Sequence, residues 1–162
     1  MTESQNPYTP PDARVKDEPG PGSPIKAVLV GLAVDIGGSI AAGIVLTLVY
    51  GVLLASTGAT PEEIAAAATA IAPGSWIFIT GMAMGCGFSV WGGYLCARIA
   101  GRRAYASGVV VAAISTAFGA AFGSEGYSAG LNLALLIATF GAVMFGVRMG
   151  VTKNRAMDLP QA

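Results

Sequence analysis

Four long apolar stretches, almost free of charge, constrain this 162-residue chain more than any other feature. They run over about 27–55, 76–97, 105–123 and 130–147. A hydrocarbon core of ~30 Å needs about 20 helical residues to cross it. The first stretch exceeds that and is expected to tilt or to project from the membrane. In water, four such segments would need amphipathic helices to cover them, and the sequence has almost none. Only 11% of residues are charged, against about 25% in an ordinary globular chain. Glycine and alanine together make up about a third of the chain, a composition suited to helices packed closely in lipid. The expected fold class is therefore all-α: a polytopic membrane protein with four transmembrane helices. The short connections at 98–104 and 124–129 predict an up-down bundle.

Orientation follows from charge. Arg14, Lys16 and Lys26 precede the first stretch. Arg98, Arg102 and Arg103 lie between the second and third, and Arg148, Lys153 and Arg155 follow the fourth. The other two connections hold Glu62, Glu63 and Glu125 and no basic residue. The positive-inside rule then predicts both termini in the cytoplasm. Tyr50, Trp76 and Tyr127 fall near the outer ends and Tyr94 and Tyr105 near the inner ends, as interfacial aromatics should. Trp91 is deeper and is expected to pack against a neighbour.

Residues 1–25 hold six of the nine prolines and are otherwise polar or small, which predicts a disordered cytoplasmic tail rather than a secretory signal. Residues 151–162 are expected to form a second cytoplasmic tail. Between the first two stretches, Thr60-Pro61-Glu62-Glu63 has the order of a capping box with proline at the first helical position. It predicts a short outer helix over 61–72, ended by Pro73-Gly74.

Small residues recur at every fourth position. They are Gly31, Ser39 and Gly43 around Asp35 in the first stretch, and Gly81, Gly85, Ser89 and Gly93 in the second. Gly108, Ala112, Thr116 and Ala120 follow in the third, and Ala134, Ala138, Ala142, Gly146 and Gly150 in the fourth. Such spacing lets helix backbones approach closely, so both the glycine zipper of the second stretch and the stripe of the fourth are expected to be packing faces.

Asp35 is the single ionisable residue well inside a span. It lies eight residues past Ala27, about 12 Å along a helix axis, near mid-membrane. A central aspartate costs about 2.5–3.5 kcal/mol on insertion scales, so it should face the bundle or water. The stretches hold no cation to pair with it. Ser89, Thr139 and the Ser115–Thr116 pair fall at similar depth, with Ser39 one turn farther on; the candidate intramembrane set is Asp35, Ser39, Ser89, Thr116 and Thr139. Three roles compete for Asp35: a hydrogen-bonded acid that sets helix register, a proton- or cation-binding site, and a contact to a partner's membrane helix.

Cys86 and Cys96 are ten residues apart on one expected helix, about 15 Å along its axis, too far to bridge. Arg98, Arg102 and Arg103 suffice as a topology anchor in contact with anionic lipid. The string Gly92-Gly93-Tyr94-Leu95-Cys96-Ala97-Arg98-Ile99-Ala100-Gly101-Arg102-Arg103 resembles a helix-end pattern of small four-helix bacterial membrane proteins. That resemblance implies the bacterial inner membrane and carries over no functional residue.

Histidine is absent, so histidine-based triads and histidine-ligated metals are excluded. No nucleophile elbow, zinc-protease motif or P-loop occurs, and no cofactor or nucleic-acid partner is expected. The sequence points to a non-enzymatic structural or assembly role, packing against itself or a larger membrane complex through small-residue faces. The alternative is a small proton- or ion-linked transporter or channel centred on Asp35.

Overall fold

A computed structural model describes residues 22–122 and 127–158, and every element among them is helical. The tail over 1–21, with Arg14 and Lys16, and Glu125 lie outside the described residues.

Helix α1 (Pro24–Leu32) starts at a well-formed cap. Ser23 Oγ accepts from the Lys26 amide at 3.4 Å, and Pro24 sits where its missing N–H has no partner to lose. A π-helical segment, Ala33–Gly37, carries the chain into α2 (Gly38–Ser56). The continuous rod of 33 residues is about 50 Å long, well beyond a hydrocarbon core. At its end, the Ser56 and Thr57 hydroxyls donate to the Leu53 and Leu54 carbonyls at 2.6 and 2.7 Å, satisfying acceptors that the last turn leaves open.

Helix α3 (Pro61–Thr69) has the capping box that its sequence predicts. The Glu63 amide donates to Thr60 Oγ1 at 3.3 Å, and the Thr60 amide donates to Glu63 Oε2 at 2.8 Å. It ends three residues before the expected 72. Thr69 Oγ1 donates to the Ala66 carbonyl at 2.9 Å, a side-chain bond that competes with helix continuation.

Helices α4 (Trp76–Ala100) and α5 (Ala104–Phe122) are joined by a single 3-10 turn, Gly101–Arg103. Gly101 adopts φ +56° and ψ −118°, a conformation that a Cβ would strain. The chain doubles back there, so Ser89 of α4 and Ser115 of α5 reach the same carboxylate.

Helix α6 (Ala129–Asp158) is longer than its apolar stretch. Residues 151–158, expected as tail, are helical because Asn154 ties them to α4. Arg98 Nη1 donates to Asn154 Oδ1 at 2.9 Å, and Asn154 Nδ2 donates to the Ala97 carbonyl at 3.1 Å. Three stretches, Pro24–Ser56, Trp76–Phe122 and Ala129–Ala156, are long and apolar enough to cross a membrane.

The core lies at the basic end, where Lys26, the Gly101–Arg103 turn and Arg148 gather. It consists of Ala27, Cys96, Ala97, Ala100, Ala104, Val111, Ala112, Val143 and Val147. Such small side chains bring backbones together. A Cβ on Gly93 would strike the Val143 carbonyl, one on Gly146 the Val90 carbonyl, and one on Gly150 would lie 2.7 Å from the Tyr94 carbonyl. Likewise, Gly92 lies against the Gly31 carbonyl, which a Cβ would approach to 2.6 Å. Dispersion between near-touching backbones is the attraction that such close contacts supply.

Packing loosens past the π-helical segment. α1 lies against α4 and α5, whereas α2 lies chiefly against α4 and α3. Of α2, Ala42 alone is buried. The two halves of one rod thus have different neighbours, and the change occurs at Asp35.

Candidate functional site

Asp35 sits inside the π-helical segment and is buried, with only 3% of its surface exposed. A π turn inserts one extra residue into an α-helix, rotates the side chains beyond it, and occurs often at functional sites. The insertion falls where the rod is pressed against α4: a Cβ on Gly92 would lie 2.9 Å from Asp35 Cβ.

Two buried hydroxyls hold the carboxylate. Ser89 Oγ donates to Oδ1 at 2.7 Å and Ser115 Oγ to Oδ2 at 2.5 Å. One donor comes from α4 and one from α5, so the acid joins three elements. A carboxylate has about four acceptor sites, and these bonds fill two. Asp35 also lines a cavity of about 520 Å³ bounded by the π segment, α2, α4, α5 and α6.

The cavity runs from Asp35, Ser89 and Ser115 to Ile71, Phe78 and Tyr127 at the end away from the basic residues. Phe78 and Ser89 are eleven residues apart on α4, so the cavity extends about 16 Å along that helix. Its walls are mostly apolar, with Ile36, Ile40, Leu46, Met82, Phe118 and Leu135, and Asp35 is the one charged group among the described residues that line it. At the end away from Asp35, Phe78 and Tyr127 meet edge to face at 5.5 Å, and the Tyr127 hydroxyl donates to the Ile71 carbonyl at 3.4 Å.

The expected polar residues divide. Ser89, Ser39 and Thr139 line the cavity with Asp35. Thr139 uses its hydroxyl on the Leu135 carbonyl at 3.0 Å and does not bind the acid. Thr116 is a correction: it lies off the cavity, with its buried Oγ1 unpartnered, and Ser115 takes the place expected for it. The depth of the pair was legible in sequence, but one residue turns a helix by about 100°, and depth does not reveal which hydroxyl faces inward. Phe78, Phe118 and Tyr127 carried no signal beyond their position in apolar or interfacial sequence.

The expected packing residues divide as well. Gly93, Gly146 and Gly150 are buried between α4 and α6, with Ala142 half-buried beside them. Gly81, Gly85 and Ser89 instead border the cavity, and a Cβ on Gly85 would meet nothing within 4 Å. Ala138 is exposed, as is Trp91, whose ring stacks only on Phe88 of its own helix at 6.5 Å. Cys86 lines the cavity while Cys96 is in the core, both as free thiols. Arg102 and Arg103 are exposed at the turn, and Arg98 is half-buried on Asn154.

Comparison of the chain with family models, curated proteins and solved structures finds no match.

Proposed function

We propose that this chain crosses a bacterial inner membrane four times, with both termini and the Gly101–Arg103 turn on the cytoplasmic side, and acts as a small proton- or cation-linked transporter centred on Asp35. One observation carries the reading: a buried carboxylate, gripped by serines from two other helices, lines a cavity of about 520 Å³ between apolar helices. Ionisable groups at membrane depth are costly and are retained chiefly where they bind or relay charge. On this topology the cavity lies on the periplasmic side of Asp35. The close-packed basic half closes the other side. Transport requires that this half open in turn, and so small a unit is expected to work as an oligomer.

Reconstitution in liposomes tests the reading. Proton and sodium gradients are imposed across vesicles holding the parent or Asp35→Asn. The parent is expected to dissipate one of them, and the variant to fall to the rate of empty vesicles. Equal flux in both, or none in the parent, sinks the proposal.

A second reading has its own observation. Along α2, Ile44, Val45, Leu48, Val52 and Leu53 are exposed, as suits a face turned to lipid or to another helix. A stoichiometric partner co-purifying from native membranes would make the chain an assembly subunit, docked through α2 rather than through the glycine faces of α4 and α6.

A further inference from the structure

Size, charge and wall chemistry together narrow what the Asp35 cavity accepts. Its volume of about 520 Å³ is that of a small-molecule site, far more than a bare ion needs. Among the described residues that line it, Asp35 is the one charged group, which matches a single positive charge. Among the described residues no cluster of three histidine, cysteine, aspartate or glutamate side chains could hold a metal ion. A hydrated metal ion would also gain little from walls of isoleucine, leucine and phenylalanine. Those walls instead reward an apolar body, which a small inorganic ion lacks. The free lone pairs of a carboxylate already holding two hydroxyls match the N–H donors of a protonated amine.

We propose that the cavity binds an apolar-bodied monovalent organic cation, its ammonium on Asp35 and its hydrocarbon body along the chamber toward Phe78. The inference rests on this cavity being the working site of the protein. The ammonium nitrogen replaces water at Asp35, and the Ser89 and Ser115 hydroxyls keep the carboxylate aimed at it. Gly81 and Gly85 keep the α4 wall recessed so that a bulky body fits.

The test uses the full chain in lipid nanodiscs with tritiated 3,3-diphenylpropylamine. Its alcohol counterpart has the same body without the charge. Saturable binding is expected, displaced by unlabelled amine and not by the alcohol. Asp35→Asn should weaken it by about tenfold or more, the scale of one charge-assisted hydrogen bond. Should that variant fail to fold, Gly85→Leu carries the test. Its new side chain enters open space, and occupancy of the chamber should weaken the amine by a similar factor. Bound amine should also slow alkylation of Cys86. Absence of saturable binding, equal displacement by the alcohol, or unchanged affinity in Gly85→Leu would overturn the assignment. If amine binding is absent while Asp35-dependent proton or sodium flux persists, the ligand class falls and the transport reading stands. Asp35-dependent amine binding without flux keeps the ligand class and removes transport.

Discussion

The basic half of the molecule and the half beyond Asp35 use the same residues to opposite ends. In both, glycine and alanine recur every fourth residue. At the basic end, Gly93, Gly146 and Gly150 let a neighbouring backbone reach van der Waals contact. Beyond Asp35, Gly81 and Gly85 border a void of about 520 Å³. A missing side chain is thus either a place for a close approach or an absence of wall, depending on whether a second helix stays near. α6 remains against α4 at one end, while at the other the first rod, held to α5 along α1, no longer packs on it along α2. Asp35 marks the border between the halves.

Substitution at matched glycines offers the sharpest way to break this contrast. Gly146→Leu drives a side chain into the Val90 carbonyl and should cost about 3 kcal/mol or more, enough to lose monodisperse protein in detergent. The natural cysteines probe the halves without disturbing them. Cys86 should react with N-ethylmaleimide about tenfold or more faster than Cys96, which is 0% exposed, as peptide mapping after timed quenching will show. Equal rates would mean that the far half closes up in solution.

Smaller effects sharpen the border itself. Ser115→Ala removes one of the two donors on Asp35 and should destabilise by about 1 kcal/mol, read as a lower thermal midpoint. Thr116→Val, one residue away, removes a hydroxyl with no partner and should change stability by less than about 0.5 kcal/mol. A reversed order for this pair would place the wrong hydroxyl on the acid. Gly85→Leu should have the smallest cost. It meets no neighbour and replaces a poor helix former, so its midpoint should hold or rise, by about 0.5–1 kcal/mol at most. A large loss there would show the cavity to be filled.

Much of the fold was legible because its causes are local. The capping box at Thr60–Glu63, the proline start of α3, and the reversal at Gly101 depend on residues within a few positions of each other, whereas Pro24, read as part of the tail, opens α1. The end of α6 was not legible, because Asn154 reads as tail until Arg98 and the Ala97 carbonyl are beside it. The site was half legible. Asp35 stood out as a charge in an apolar stretch, and Ser89 shared its depth. Ser115 could not be separated from Thr116 by depth, and the π-helical segment has no marker in its five residues.

By itself, the sequence determined which segments are helical, which end of the bundle is basic, and that one acid lies deep between them. Hydropathy, capping and charge act within a turn or along a segment, and they need no neighbour to be read. The tertiary structure alone decided which small residues face another backbone and which face empty space. It also decided which hydroxyls reach Asp35, and that a chamber opens beyond it. Those outcomes depend on where one rod leaves another, and the helix phase that sets this shifts by 100° for each added residue.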